Sequence, residues 1–278
     1  MKAISIGVSK VTIDGTSLGS NTQASISLQP VIVPVHTEKV GSGMVVGNRL
    51  AVKSLQGTLN VTTEELPPLS SLFSKMRKVI NGERYDTASF SCFVPLCGGS
   101  MTGEIAILPQ FSSSCAFDSW ANVTLNLPII GPLDLSAGGI KPTVISGIPF
   151  ITDSSGRADT IDKNNLCFSN ITCSVADSIV EANVSGSCQI RPIFRGTPPW
   201  PVDYVVDGVS IQADVGCADF SNSLSLYQTD SSFEVTFHCL SGSLKFNLRD
   251  KCLVQLAGLK TSQTGVNTWL IRAEGNSI

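Results

Sequence analysis

The feature of this chain that most restricts its fold is a polar, alternating pattern that occurs twice. Residues 11–30 read VTIDGTSLGSNTQASISLQP, and residues 173–192, which lie 162 positions later, read CSVADSIVEANVSGSCQIRP. In both segments a turn-rich stretch leads into alternating residues and ends at a proline, which is typical of a strand with an edge or a terminus at that end. The same β unit is therefore predicted to occur twice.

A second pair of similar segments lies further along the chain. Residues 89–105 read SFSCFVPLCGGSMTGEI and residues 232–248 read SFEVTFHCLSGSLKFNL, an offset of 143 that matches Phe90 with Phe233 and Met101 with Leu244. Each segment predicts two strands flanking a hairpin of small residues. Because the offset falls from 162 to 143, the second unit is predicted to lack about 19 residues between the two segments.

The missing residues correspond to the one clear amphipathic helix in the sequence. Residues 62–82 read TTEELPPLSSLFSKMRKVING, and their apolar residues share one face at helical spacing. Two prolines fit only the first turn of a helix, and the following Gly82 would end it. We therefore predict a helix over residues 66–80, whereas the second unit offers only a shorter one in residues 217–230. The apolar stripe consists of Leu69, Leu72, Phe73, Met76, Val79 and Ile80.

Alternation elsewhere predicts a mainly β protein built from antiparallel sheets. Leu55, Gly57, Leu59 and Val61 share one face of a strand, as do the apolar residues of NVTLNL at residues 122–127. Glycine and proline crowd together over residues 131–147. We therefore predict two tandem domains, 1–140 and 141–278, each an antiparallel β-sandwich or barrel, with the helix in the first.

Composition argues against several classes of function. The net charge is −3, and no basic stripe with interleaved aromatic residues is present, so tight nucleic-acid binding is not expected. No run approaches 18 apolar residues, so no membrane span is predicted. The start of the chain lacks the pattern of a secretory signal, which predicts synthesis in the cytosol.

Residues that could perform chemistry are few. The two histidines, His36 and His238, are too few for a multi-histidine metal site, and the nine cysteines lack the paired spacing of zinc knuckles. Most cysteines are expected to pack as small apolar residues. Ser17 lies in the nucleophile position of GTSLG, but an alternating strand follows instead of the helix that a nucleophile elbow needs. We therefore predict no catalytic residue, no metal site and no cofactor.

The order of elements in the first unit resembles that of bacteriophage tail tube proteins and their relatives in contractile injection machines. The resemblance begins with the strand and turn VTIDGTSLG, continues through residues 24–43, where a strand runs into a long hairpin, and reaches the helix through LAVKSLQGTLNVTTEELPPLSSLF. It closes with the alternating strand SWANVTLNL. Residues 3–130 carry it well, and residues 165–278 more faintly, through the internal repeat.

The resemblance implies a structural virion protein of the viral tail with no enzymatic activity. In that family, β-sandwich domains join their sheets into six-fold rings around an inner barrel, and the rings stack into a tube. A chain with two such domains would complete a ring as a homotrimer with pseudo-six-fold symmetry. The implied partners are further copies of the chain, the tape measure protein, and tail terminator or hub proteins. Genomic DNA would pass through the lumen without tight binding, and the protein would assemble in the host cytoplasm.

The resemblance also implies roles for particular segments. Residues 36–48 would form the hairpin between rings, the helix would brace the outside, and strands including residues 52–61 and 101–108 would be candidates for the lumen wall. A proline-rich loop at an equivalent place in the second unit is a further candidate interface. The candidate hairpin residues are His36, Thr37, Glu38, Lys39, Val40, Met44, Val45, Val46 and Asn48; the second-loop residues are Pro198, Pro199, Trp200, Pro201, Asp203 and Tyr204; the bracing residues are Leu69, Leu72, Phe73, Met76 and Val79.

Two alternatives remain open at this stage. A hub, distal tail or adaptor protein with two such domains would form a single trimeric ring and would not polymerise. A secreted β-sandwich adhesin would remain monomeric and would carry glycans at some of the Asn-X-Ser/Thr sequences in the chain.

Overall fold

The computed structural model describes residues 4–19, 22–38, 45–96, 98–136, 143–145, 148–150, 163–196, 200–218, 227–248, 252–261 and 267–277. The protein is mainly β, as the alternation predicts. The strands are β1 (Ile4–Ile13), β2 (Thr16–Ser17), β3 (Thr22–Glu38), β4 (Val45–Thr63), β5 (Asp86–Val94), β6 (Gly99–Ile107), β7 (Phe111–Ala116), β8 (Asn122–Ser136), β9 (Thr143–Ile145), β10 (Ile148–Phe150), β11 (Ile171–Cys173), β12 (Ile179–Arg195), β13 (Trp200–Cys217), β14 (Tyr227–Ser231), β15 (Glu234–His238), β16 (Ser243–Asn247), β17 (Cys252–Thr261) and β18 (Asn267–Ser277).

The predicted helix is present in the first half of the chain. A 3-10 turn, Pro67–Leu69, leads directly into α1 (Ser70–Ile80), with the two prolines in the first turn, where their missing N–H groups cost no hydrogen bond. Gly82 follows with φ +85°, the left-handed conformation that commonly ends a helix. The shorter helix predicted in residues 217–230 is wrong at its C-terminal end, because Tyr227–Ser231 forms strand β14.

One large antiparallel sheet runs through both halves of the chain. Its strand order is β14-β17-β18-β13-β12-β7-β8-β4-β3-β1-β5-β6, and β8 also pairs with β6. The second pairing closes β1, β3, β4, β5, β6 and β8 into a six-stranded barrel, which removes the exposed edges of those strands. The halves of the sheet join where β7 pairs with β12, from Phe111↔Gly186 to Ala116↔Glu181.

The same pairing order occurs on both sides of this joint. In the first half the order is β7-β8-β4-β3, and in the second half it is β17-β18-β13-β12, where each strand occupies the same place in its half. Two smaller groups also agree in order: β1-β5-β6 adjoins β3 in the first half, and β11-β15-β16 forms a separate three-stranded sheet in the second. Within the described residues, β9 and β10 pair only with each other.

Residues directly opposite one another form a continuous row across eight strands, which we call the buried row. All its members face the core except Thr22, at the end, which is half-buried. In strand order from β17 to β3, the buried row is Val254, Ala273, Ala213, Val184, Ser113, Val123, Thr63 and Thr22.

The core lies between the large sheet and a layer formed by α1 and the hairpin β15–β16. Phe73 of α1 packs edge-on against Phe111 of β7 and Phe246 of β16, at ring-centre distances of 4.9 and 5.0 Å. Phe237 adds a further ring contact with Phe246, at 5.1 Å. Rings in these edge-to-face positions contribute beyond the apolar area that they bury. The helix therefore contacts elements of both halves of the chain.

The two prolines at the ends of the repeated patterns do not end their strands. Pro30 lies inside β3 and Pro192 inside β12. Each pairs with its hairpin partner, Leu55 or Tyr204, but lies beyond the residues that pair with the neighbour on the other side. A proline, which has no N–H, is tolerated at such an edge position, so both strands continue.

Candidate assembly surfaces

The face of the large sheet opposite the core is polar and carries little charge. Next to the buried row runs a second row, which we call the polar row, whose side chains point to the other face because strand residues alternate. Seven of its eight members are polar, including the charged Glu274, and the eighth is Leu253. In the same strand order, the polar row is Leu253, Glu274, Gln212, Ser185, Ser112, Thr124, Thr62 and Gln23.

Local pairing compensates part of the charge on this face, which also carries Glu181 and Glu274. The hydroxyls of Thr62 and Thr124 are hydrogen bonded at 3.0 Å across neighbouring strands. Nearby, the Arg272 Nε donates to Asp214 Oδ1 at 2.7 Å, so that these two charges compensate each other. A surface of hydroxyls, amides and paired charges binds water well but offers no field of one sign to hold a polyanion.

The two candidate strands for a lumen wall differ in exposure. Residues 52–61 lie in β4, where Thr58 and Asn60 point to the polar face. In residues 101–108 only Thr102 and Glu104 are exposed, and the second half of the segment is buried on both faces of β6. The lumen prediction for this segment therefore reduces to Thr102 and Glu104. Its fully buried residues are Ile105, Ala106, Ile107 and Leu108.

The predicted first hairpin is the end of the long β3–β4 ladder. His36 pairs with Asn48, Thr37 with Gly47, and Glu38 with Val45. Val46 lies in β4 beside this irregular last pair. The candidate tip residues lie outside the described residues; they are Lys39, Val40 and Met44.

The predicted second loop is shorter than expected, because β13 already begins at Trp200. Trp200 pairs with Arg195, and Pro201 pairs with Phe194, so that only residues 196–199 remain as a connection. Pro198 and Pro199 lie outside the described residues.

Asp203 and Tyr204, also predicted in this loop, instead connect β13 to the barrel. The Tyr85 hydroxyl donates to Asp203 and accepts from the backbone N–H of Tyr204 at 2.9 Å, while the Tyr204 hydroxyl donates to the carbonyl oxygen of Ile129 at 3.0 Å. Burial, together with the hydrogen bond to Asp203, raises the pKa of Tyr85 to about 12, and the same hydrogen bond lowers the pKa of Asp203. Arg84 pairs with Asp203 at 3.2 Å.

The five predicted bracing residues of the helix are all buried. Ion pairs flank this apolar face: Lys75 contacts Asp14 at 2.6 Å, and Lys78 contacts Asp86 at 2.9 Å. The hydrogen bond from Lys75 lowers the pKa of Asp14. Because these pairs are solvent-exposed, the packing of the apolar face contributes more to the position of the helix than they do. The buried bracing residues are Leu69, Leu72, Phe73, Met76 and Val79.

The two ends of the eight-stranded region differ in what covers them. At one end, β14 pairs with β17 through Tyr227↔Gln255, Gln228↔Val254 and Ser231↔Cys252. At the other end, β1 pairs with β3 from Ala24 to Leu28. Within the described part of the chain, no strand pairs with the same edge of β3 at Thr22 and Gln23. Neither feature was predictable from the sequence, because edge pairing depends on contacts between distant segments.

The most exposed apolar residues of the described chain lie in turns. Leu96 and Leu240 occupy the second position of the four-residue turns of β5–β6 and β15–β16, with exposed fractions of 90% and 87%. Phe117 lies in the β7–β8 turn, and Trp120 packs edge-on against Phe168 at a ring-centre distance of 4.8 Å while both stay half-exposed. Since Ala116 pairs with the start of β12, the β7–β8 turn lies at the end of the sheet opposite the β12–β13 hairpin tip.

Three cysteines lie together beneath these turns. The interaction of Cys167 with the thiols of Cys115 and Cys239 lowers the pKa of Cys167 and raises those of the other two. The Cys167 thiol also donates to the carbonyl oxygen of Asn170 at 3.4 Å. Cys115 and Cys167 are buried and Cys239 is half-buried. The described residues contain no group of three or more His, Cys, Asp or Glu side chains arranged to hold a metal ion.

The remaining candidates for chemistry have structural neighbours. His238 Nε2 is 2.8 Å from the Thr172 hydroxyl, across the β11–β15 pair. Ser17 lies in the tight β1–β2 hairpin, where its hydroxyl accepts the Gly19 N–H at 3.3 Å, and strand β3 follows. No helix follows Ser17 directly, so the geometry of a nucleophile elbow is not formed there.

Comparisons with known proteins do not identify a family for this chain. No protein-family model matches the chain, and no curated protein matches its sequence significantly. Within the described residues, no helix has the length and apolar character needed to cross a membrane.

Proposed function

We propose that this protein is a structural subunit of a viral tail that assembles as a trimer into rings, which stack into a tube for DNA. The observation that carries the proposal is the eight-stranded sheet, in which a four-strand order occurs twice and one face carries mostly polar side chains. In the proposal, the core face holds the subunit together, and the polar face lines the channel.

The proposal includes an internal duplication, and two registers support it. In the buried row, Thr22 on β3 and Val184 on β12 occupy the same place in their four-strand groups. They are 162 residues apart, which is the offset between the two repeated patterns in the sequence. In the smaller groups, Thr12 is opposite Ser91 on β5. Adding the offsets of 162 and 143 to this pair gives Ser174 and Glu234, and the Ser174 N–H donates to the carbonyl oxygen of Glu234 at 3.0 Å.

The joint between β7 and β12 supports the step from subunit to ring. It shows how one four-strand group can continue into the next through backbone hydrogen bonds. If chains join in the same way, the sheet continues from copy to copy, and closing it removes the edges that would otherwise pair without control.

Electron microscopy of the purified protein, with its mass in solution measured by light scattering, tests the proposal. The expected result is stacked rings, with three chains in each ring. Single trimeric rings that do not stack would instead support a hub or adaptor. A protein that stays monomeric at high concentration and in the presence of tail partners would contradict both.

A further inference from the structure

We propose that the outer edge of β17 is the joint to a second copy of this chain, and that β14 occupies this edge until the second copy replaces it. The inference rests on the proposed ring and specifies which edges meet. The partner segment is the edge of β3 around Thr22 in the next copy. Assembly is then an exchange of one strand for another on the same edge.

The position of β17 in the sheet supports this assignment. β17 has the place in the second half that β7 has in the first: Val254 lies opposite Ala273 of β18, just as Ser113 lies opposite Val123 of β8. The other edge of β7 pairs with β12, at Ser113↔Val184. By the same relation, the other edge of β17 is where a strand equivalent to β12 would pair.

That equivalent strand is β3, and the required part of its edge is accessible. Val184 and Thr22 occupy corresponding places in the buried row, so Thr22 of a second copy would lie opposite Val254. By the same offset the six pairs of the intrachain joint correspond to residues 19–24. Of these, Thr22 and Gln23 are described strand residues whose edge no described strand covers, whereas Ala24 pairs with Val8. The pairs of β1 with β3 from Gly7↔Ser25 to Ile4↔Leu28 can therefore stay in place while the joint forms.

The pairing of β14 with β17 is short and irregular, so that another strand could displace β14. β14 makes three residue pairs with β17, with an irregularity between Gln228 and Ser231, whereas β7 and β12 make six consecutive pairs. The first half has no strand in this place, since residues 81–85 lead from α1 directly into β5. Pairing with a second copy would replace this irregular ladder by one in the register of the β7–β12 joint, with main-chain hydrogen bonds as the driving contacts.

A reversible disulfide bond between β14 and β17 tests the exchange. Ser231 is opposite Cys252, so the Ser231→Cys variant places two thiols on directly opposed residues, and a mild oxidant such as oxidised glutathione can join them. We expect the oxidised variant to lose ring assembly, and the same sample to regain it after reduction with dithiothreitol. Wild-type protein taken through the same oxidation and reduction is the control for the native cysteines. Rings that form while the new cross-link stays intact, as shown by mass spectrometry, would overturn the inference.

A second variant tests the exchange from the opposite direction. Gln228→Pro combined with Thr229→Pro removes two neighbouring N–H groups of β14, one of which must point toward β17 because strand N–H groups alternate. We expect assembly at a several-fold lower protein concentration than for the wild type. If the wild type assembles and the proline variant assembles no better, β14 is not an obstacle and the inference is wrong. If neither protein forms rings under any condition, both the inference and the proposed function fail.

Discussion

At the scale of single residues, close packing at the joint between the halves leaves no space for an added methyl group. Gly186 lies opposite Phe111 in the β7–β12 joint, and a Cβ at this position would be 2.6 Å from Phe111 Cε1 and 2.7 Å from the carbonyl oxygen of Pro109. A backbone oxygen cannot move aside as the end of a flexible side chain can. The glycine therefore lets the two halves share one sheet.

We expect Gly186→Ala to lower the free energy of unfolding by about 1–3 kcal/mol, the usual cost of overpacking. The matched control is Gly208→Ala on β13, where a Cβ would have no atom within 4 Å, so its effect should stay within about 0.5 kcal/mol. Urea unfolding followed by circular dichroism measures both. Equal effects of the two substitutions would show that the close contact at Gly186 is not limiting.

The hydrogen bonds around Tyr85 give a second residue-scale prediction, which depends on pH. Because the pKa of Tyr85 is raised to about 12 in the folded protein, its contribution to stability is complete below about pH 10 and is lost as the pH rises through 12. We expect Tyr85→Phe to cost about 1–2 kcal/mol at pH 8. At pH 11 the difference in the free energy of unfolding between this variant and the wild type, measured by urea unfolding, should be smaller than at pH 8.

Arg84→Ala is the control for this pH dependence. The Arg84 side chain is 81% exposed, and its pairing with Asp203 should contribute less than about 1 kcal/mol. Between pH 8 and pH 11 the Arg84→Ala difference in the free energy of unfolding should change much less than the Tyr85→Phe difference, because Arg84 affects the pKa of Tyr85 only weakly. A constant Tyr85→Phe difference over the same range would contradict the role given to the buried hydroxyl.

At the scale of elements, the two long hairpins extend the sheet beyond the core. The backbone of β3 pairs with β4 as far as Glu38↔Val45, well past the residues that β1 covers. Within the described residues, no further strand pairs with this outer part of the β3–β4 ladder. Such unpaired edges can pair with another molecule, and in the proposed tube we therefore assign the first hairpin to contacts along the tube axis.

We expect replacement of residues 37–47 by Asn-Gly, a turn that suits His36 and Asn48 as the last pair, to leave rings intact and prevent their stacking. The matched variant replaces residues 196–199 at the tip of the second hairpin by the same two residues. Electron microscopy distinguishes single rings from tubes. Long tubes formed by the first variant would show that this hairpin does not connect rings.

Elements with strong local signals were predictable from sequence, and those that depend on distant contacts were not. The stripe from Leu69 to Ile80 identified α1, and the alternation around Leu59 and Val123 identified strands with the correct buried faces. Strand β14 was missed, because YQTDS has little apolar alternation and acquires its structure by pairing with β17. The same limit explains why the sequence predicted a loop at Asp203, where contacts with Tyr85 keep the chain extended.

At the scale of the whole molecule, the asymmetry between the halves distinguishes the two kinds of joint in the proposed ring. Inside the chain, Phe73 of α1 packs against Phe111 of β7, in the first half, and against Phe246 of β16, in the second half. The second half has a 16-residue connection between Cys217 and Glu234, of which the described part contains β14 and no helix. In the proposed ring, the aromatic contacts of Phe73 would therefore support the joint within a copy in addition to its backbone pairing.

The eight-stranded sheet also determines how wide a closed ring can be. With strands about 4.8 Å apart and tilted by about 40°, two copies would close into a backbone cylinder about 32 Å across, which leaves roughly 20 Å between facing side chains. Three copies would give a cylinder about 48 Å across and a clear bore of roughly 37 Å. The narrower bore would strip a double helix of its water, whereas the wider one admits the helix with its hydration layer. Three is thus the smallest number of copies whose channel lets hydrated duplex DNA move freely.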